Sequence, residues 1–176
     1  MLRNQVTLCD MTEKELGVYP KEDAHREGKL HRAFSVFLFD GNKMLIQKRA
    51  KTKYHTPSLW TNACCSHPRL GEDVVRSGEL RTKEELGIDV KLKFLYSFVY
   101  YYRFKNDLAE YEYDNVLVGD YSGEVYLDPE EADDYKWIDL DELKTDVENN
   151  PDKYTPWFII ILPEILKYKK NNMVKL

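Results

Sequence analysis

Cysteine is scarce in this chain. There are three among 176 residues, two of them adjacent, and an odd count so arranged offers no disulfide framework and fits a reducing compartment. Long apolar runs are missing too. The longest, Trp157-Phe158-Ile159-Ile160-Ile161-Leu162, is far short of the roughly 20 residues that a membrane-spanning helix needs. Met1-Leu2-Arg3-Asn4-Gln5 carries no signal-peptide apolar region, so a cytoplasmic protein with no membrane partner is expected. Positive charge is not in excess: 26 Lys and Arg stand against 31 Asp and Glu, a net charge of −5. That balance argues against a nucleic-acid surface but leaves room for a small anionic ligand. No repeat, low-complexity block or Pro/Gly/Ser linker interrupts the chain. What is present is 43% hydrophobic and 32% charged, the make-up of an ordinary globular protein, and the length predicts a single domain over 1–176. Composition says nothing of the oligomeric state.

Residues 32–40 read as a strand buried on both faces. Asp40-Gly41-Asn42 turns it into a returning strand, Lys43–Arg49. The stretch 50–71 is loop-rich, with Pro57, Pro68 and Gly71. A helix over about 72–86 follows and ends on Gly87 as a left-handed cap. Gly78 in its middle costs roughly 1 kcal/mol relative to Ala, and close backbone approach is one explanation. Residues 90–104 and 110–121 read as long strands, with a short one at 135–138. The acidic turn Pro129-Glu130-Glu131-Ala132-Asp133-Asp134 is expected to be solvated. Asp139 caps a helix over 140–148, and Pro156 opens an amphipathic helix running to about 170. Strands dominate the middle, with one helix among them and two at the end, which makes the fold class α+β.

The segment Thr61-Asn62-Ala63-Cys64-Cys65-Ser66-His67-Pro68 carries the most chemistry per residue. A thiol stands two residues from an imidazole, and both move protons near neutral pH in suitable surroundings. A cysteine pair commonly just packs, so packing is the competing role. Glu110 and Glu112 are two apart and share a strand face. With His25, His31 and His67 they make a mixed N/O set suited to Mn²⁺, Mg²⁺ or Zn²⁺, although no pair has a zinc-finger spacing. His55 has no motif around it and is read as a surface residue. Lys48, Arg49, Lys51 and Lys53 form a basic cluster that serves either as a solvated strand end or as a diphosphate grip. Arg81 and Glu85, one helical turn apart, share a face. Trp157 and Tyr100-Tyr101-Tyr102 are candidate walls of an apolar pocket.

These pieces, in this order, resemble the type I isopentenyl diphosphate isomerases of the Nudix superfamily. The resemblance covers roughly residues 15–165. It rests on Leu30-His31-Arg32-Ala33-Phe34-Ser35, on Leu59-Trp60 leading into the cysteine segment, on Arg81-Thr82-Lys83-Glu84-Glu85-Leu86-Gly87, on Glu110-Tyr111-Glu112-Tyr113-Asp114, and on Thr155-Pro156-Trp157. The hydrolase signature G-x5-E-x7-R-E-U-x-E-E-x-G-U is decayed. Aligned on Glu84-Glu85-Leu86-Gly87-Ile88, it puts Ser66 at the first Gly, Glu72 at the first Glu, Leu80 at the Arg, and Arg81 where hydrolases hold metal with a carboxylate. That departure favours isomerase over hydrolase.

The resemblance implies a Nudix-type mixed-sheet sandwich with a central helix and additional C-terminal helices. It implies interconversion of isopentenyl and dimethylallyl diphosphate, in isoprenoid biosynthesis, through a tertiary carbocation. Carried over, the catalytic residues are Cys65 and Glu112, with Tyr100 assisting. A first divalent ion falls on His25, His31, His67, Glu110 and Glu112. A second, normally Mg²⁺ on the diphosphate, falls on Glu85 and the carbonyl of Cys65. Diphosphate contacts fall on Lys21, Arg49, Lys53, Ser66 and Arg81, and the aromatic facing the cation is Trp157. The alternatives are a Nudix hydrolase of a small diphosphate and a non-catalytic binding module, the latter having no need of a thiol.

Overall fold

The structure, a computed structural model, describes residues 4–173. Its organising element is strand β3 (His31–Asp40). Along one edge it runs parallel to β8 (Ala109–Asp120), from the His31–Glu112 pair to the Phe39–Asp120 pair. Its other edge meets three partners in turn. These are β1 (Gln5–Cys9) at His31, β6 (Cys64–Ser66) at residues 34–36, and β4 (Lys43–Arg49) at the hairpin end.

Successive side chains of a strand point to opposite faces, so β3 feeds two cores. Phe34, Val36 and Leu38 pack with Leu86 of helix α2 (Val74–Leu86). Phe37 and Phe39 pack with Leu140 and Leu143 of α3 (Leu140–Asn149) and with Trp157 and Phe158 of α4 (Pro156–Met173). A strand covered on both faces reads as one unbroken apolar run, as residues 32–40 do. The sheet is completed by β2 (Glu15–Pro20) on β1, β5 (Trp60–Thr61) on β4, β7 (Lys93–Arg103) antiparallel to β8, and β9 (Ala132–Asp139) on β4. A mixed sheet with helices on both faces is the α+β architecture expected.

Helix α2 starts where Asp73 accepts a hydrogen bond from the Arg76 amide (2.9 Å) and stops at Gly87, whose φ of 67° only glycine adopts without strain. Gly78 is there for contact: a Cβ would stand 2.5 Å from Leu117 Cδ1. Asp139 caps α3 by accepting from the Asp141 amide (2.9 Å).

Three elements have no counterpart in the sequence reading: β1, β2 and the short helix α1 (Lys21–Glu27). Helix α1 has seven residues and no side-chain cap, and β2 contains Gly17, so neither carries a periodic signal. The expected loop at 50–71 also holds two short strands. β3 and β4 pair only through Phe39–Met44 and Asp40–Lys43 before diverging, and β5 and β6 bridge the gap they leave. Asn62 ties the corner by donating from Nδ2 to Val36 O (3.1 Å) and Cys64 O (2.9 Å).

Candidate active site and metal centre

A cleft of about 1100 Å³ is lined by residues from the C-terminal-core face of the sheet, from α1 and from the segment between β4 and β6. Alternation along β6 settles which thiol faces it. Cys64 is fully buried in the core under α2, whereas Cys65 packs towards the other core and lines the cleft. Cys65 Sγ donates to Asn62 Oδ1 (3.1 Å) and stands 3.6 Å from Ser35 Oγ. Burial, with the Asp114 carboxylate adding to it, pushes the Cys65 thiol up to about 12. It therefore keeps its proton at neutral pH.

The hydrogen bonds continue beyond the thiol. Asn62 Oδ1 also accepts from Thr61 Oγ1 (2.9 Å), and that hydroxyl in turn accepts from Trp157 Nε1 (3.0 Å) and lies 2.9 Å from Thr155 Oγ1. The thiol and the indole of Trp157 are thus fixed by one buried network.

Glu110, Glu112 and Asp114 alternate onto the same face of β8 as Val116 and Val118, which belong to the C-terminal core. Tyr100, paired with Glu112 across β7 and β8, donates to Glu112 Oε2 at 2.6 Å. Burial opposes ionisation of Glu112, but the imidazoles of His31 and His67 outweigh it and hold the carboxyl well below its usual range. Burial and then the charge of Glu112 push Glu110 well above its own. Burial depresses His25 to about 2 and His67 to about 4, so both imidazoles are neutral and able to ligate.

The donor set fits a divalent ion. Two ligands about 2.0–2.2 Å from one ion, at octahedral or tetrahedral angles, stand roughly 2.8–3.6 Å apart. The Nε2-to-carboxylate separations are 3.4 Å for His25–Glu110, 3.5 Å for His31–Glu112 and 3.2 Å for His67–Glu112. His31 Nδ1 lies 2.8 Å from Lys29 O, which can only accept, so Nε2 is the nitrogen that this ring could offer to an ion. That Nε2, His25 Nε2 and Glu110 Oε2 are all buried without a hydrogen-bond partner. His25, His31, His67 and Glu112 present donor atoms within 4.8 Å of one another, and Glu110 groups with His25 on the adjoining side.

Lys21, Arg49, Lys53, Ser66 and Arg81 all line the cleft, as do Tyr100 and Trp157. Arg49 lies over the Trp157 ring at 5.4 Å. Arg81 and Glu85 share a face as their spacing predicts, and they are directly paired. Arg81 also reaches Glu84 (2.8 Å) and Glu131 (3.4 Å), and burial pushes Glu85 up to about 7 against the pull of Arg81.

Three expectations need correction. His55 is not on the surface: it is 7% exposed, with Nε2 at 3.1 Å from Glu110 Oε1, and it stacks on Phe104. The acidic turn is not wholly solvated, because Glu131 turns inward to Lys53 and Arg81. Tyr101 and Tyr102 are exposed, so of that run Tyr100 alone lines the pocket. Sequence reasoning also passed over Asp114, which is fully buried, accepts from Ser35 Oγ (2.7 Å) and is pushed upward by burial. Its place on the Glu110–Glu112 face was the available signal.

The family model of the NUDIX domain matches residues 29–158. The chain is 41% identical over 172 residues to "Isopentenyl-diphosphate Delta-isomerase 2" of Aromatoleum aromaticum, covering 97% of this chain and 91% of that one. It is 46% identical over 154 residues to the protein of the same name from Photorhabdus laumondii, covering 87% of each. Solved structures give the same architecture. DR0079 from Deinococcus radiodurans superposes with a TM-score of 0.75 at 14% identity over 91% of this chain and 98% of that one. A MutT NUDIX hydrolase from Burkholderia pseudomallei gives 0.61 at 20% identity over 76% and 96%.

Proposed function

The chain belongs to the isopentenyl-diphosphate Delta-isomerases of the NUDIX family, and we propose that it interconverts isopentenyl and dimethylallyl diphosphate by protonation and deprotonation through a tertiary carbocation. The observation that carries this reading is a proton-bearing thiol and a carboxylate–phenol pair facing one cleft with cations at its wall.

An unactivated alkene is a feeble base, so it needs an acid in a water-poor pocket. The resting protonation, a protonated Cys65 thiol and an ionised Glu112, is that of the direction from dimethylallyl diphosphate. The direction from isopentenyl diphosphate therefore first requires a proton to pass from Cys65 to Glu112. Glu112, supported by Tyr100, then gives that proton to the terminal methylene and leaves positive charge at C3. Cys65, as thiolate, removes a proton from C2 to form the new double bond. Its high pKa makes that thiolate a strong base. In the reverse direction the thiol donates and Glu112 accepts. One proton thus passes from one residue to the other in each turnover and must return before the next in the same direction.

Trp157 offers its π face to the cation, a contact worth ~2 kcal/mol when desolvated. Its N–H is held by Thr61, which fixes the ring plane. Lys21, Arg49, Lys53, Ser66 and Arg81 hold the diphosphate. His25, His31, His67, Glu110 and Glu112 would hold a divalent ion, Mn²⁺ or Zn²⁺ or Mg²⁺, which would supply charge that steadies the buried carboxylates. Glu85 with the Cys65 carbonyl would hold Mg²⁺, which would offset diphosphate charge. Arg81 stands where the hydrolase signature has a metal-binding carboxylate, so the hydrolase reading finds no support there.

The test is incubation of isopentenyl diphosphate with protein and divalent ion in D2O. Allylic product carrying solvent deuterium is expected. Release of phosphate without allylic product would overturn the reading.

A further inference from the structure

We propose that His55 is a ligand of the same divalent ion that His25, His31, His67, Glu110 and Glu112 would hold, an inference that rests on that metal site. His55 comes from the segment between β4 and β5, and nothing in the surrounding sequence marks it. Three features point to ligation.

Its Nε2 stands 3.1 Å from Glu110 Oε1, within the separation expected of two ligands on one ion. Its Nδ1 is engaged by Thr56 Oγ1 at 3.2 Å, which leaves Nε2 as the nitrogen turned to the carboxylate. The Thr56 hydroxyl can accept from Nδ1–H, as Lys29 O does for His31, and in that tautomer Nε2 presents its lone pair in the way ligating imidazoles are commonly oriented.

The third feature is shared membership. His25, His55 and Glu110 have donor atoms within 4.8 Å of one another, and His25 also belongs to the group with His31, His67 and Glu112. His25 Nδ1 meets the Tyr54 hydroxyl, so a single nitrogen, Nε2, remains for an ion. An ion on that nitrogen is common to both groups.

The ring is held for the purpose. It stacks on Phe104 at 5.5 Å, meets Trp157 edge-on at 6.0 Å, and its backbone carbonyl accepts from Arg49 (3.3 Å). Had packing been the whole requirement, a phenylalanine would fill this aromatic surround without an imidazole to satisfy. A set of four imidazoles and two carboxylates also has a consequence for metal choice. It suits Zn²⁺ or Mn²⁺ over Mg²⁺, which prefers oxygen and keeps its waters.

The experiment uses the whole chain, stripped of metal, labelled with nitrogen-15 histidine and loaded with an NMR-active cadmium isotope as the probe ion. Nitrogen–cadmium couplings are expected at Nε2 of His25, His31, His55 and His67. In His55→Phe, which keeps the ring packing, the His55 coupling disappears, the other three remain, and Zn²⁺ affinity falls by no less than the roughly 10–100-fold that losing a ligand's supporting partner costs. Couplings at His25, His31 and His67 with none at His55 in the wild type would overturn the inference and leave the metal site intact. Couplings at none of the four would overturn both. An unchanged Zn²⁺ affinity in His55→Phe would also count against ligation.

Discussion

Adjacent cysteines on a strand cannot do the same job, because they face opposite sides of the sheet. Cys64 fills the core under α2, while Cys65 meets the cleft and the Asn62 amide. Cys65→Ala is expected to lower kcat by roughly 10²–10⁴-fold, the range for a lost proton-transfer group. Cys64→Ala should keep most of the turnover and cost about 1 kcal/mol in urea unfolding, as small core truncations do. Equal losses in a steady-state assay would mean that both thiols merely support the fold. Thr61 is the hinge of the network that joins thiol to indole. Thr61→Val keeps the shape but strands the Trp157 N–H, so about 1–3 kcal/mol of stability should go. The catalytic loss should appear in kcat with KM nearly unchanged, since in the proposed mechanism the indole would face charge that exists only along the reaction path. Cys65 and Glu112 were legible because their neighbours form a recognisable run. His55 was not, because Phe104 and Trp157, far away in sequence, are what bury it.

Helix α2 shows how one element serves both packing and chemistry. Its inner face is cut close to the sheet at Gly78 and buries Glu85, while Arg81, paired with Glu85, lines the cleft. Gly78→Ala gains helix propensity of about 1 kcal/mol but drives a methyl into Leu117 and Leu92, an overpacking cost of about 1–3 kcal/mol. A net destabilisation is expected in urea unfolding, and a stabilised variant would show that the helix shifts freely. Arg81→Ala removes the guanidinium paired with buried Glu85, while Glu131 keeps Lys53. About 3 kcal/mol of stability should be lost, as when one partner of a buried pair is removed. Added Mg²⁺ should return part of it in Arg81→Ala but none in Arg81→Ala/Glu85→Gln. Turnover should also fall, by roughly 2–4 kcal/mol of transition-state stabilisation. Wild-type turnover in Arg81→Ala would leave this residue structural and remove it from the diphosphate grip. The helix and its Gly87 stop were legible from spacing and cap residues. The pairing with Glu131 was not, since the acidic turn lies 50 positions away and reads as solvated on its own.

At the scale of the molecule, the candidate metal donors are collected from four places: α1, the start of β3, the residue after β6 and the start of β8. An ion there would fasten the N-terminal elements to the central sheet. Because such an ion binds the folded chain alone, removing it should cost about 2.7 kcal/mol when the ion had been present at 100-fold its Kd. Differential scanning calorimetry with and without chelator checks this. The shift should vanish in His31→Gln, and an equal shift in that variant would place the stabilising ion elsewhere. No helix among the described residues is long and apolar enough to cross a membrane. The sequence by itself determined β3, the hairpin, α2 and the long strands, because hydrophobic period, turn residues and caps are local properties. It also determined the family-bearing residues, because they sit in short contiguous runs. Only the tertiary structure decided that Glu131 turns inward and that His55 joins His25 and Glu110. Those outcomes depend on which strands share the edges of β3 and which distant rings close over the cleft, and pairing between remote segments leaves no mark on the local pattern of either.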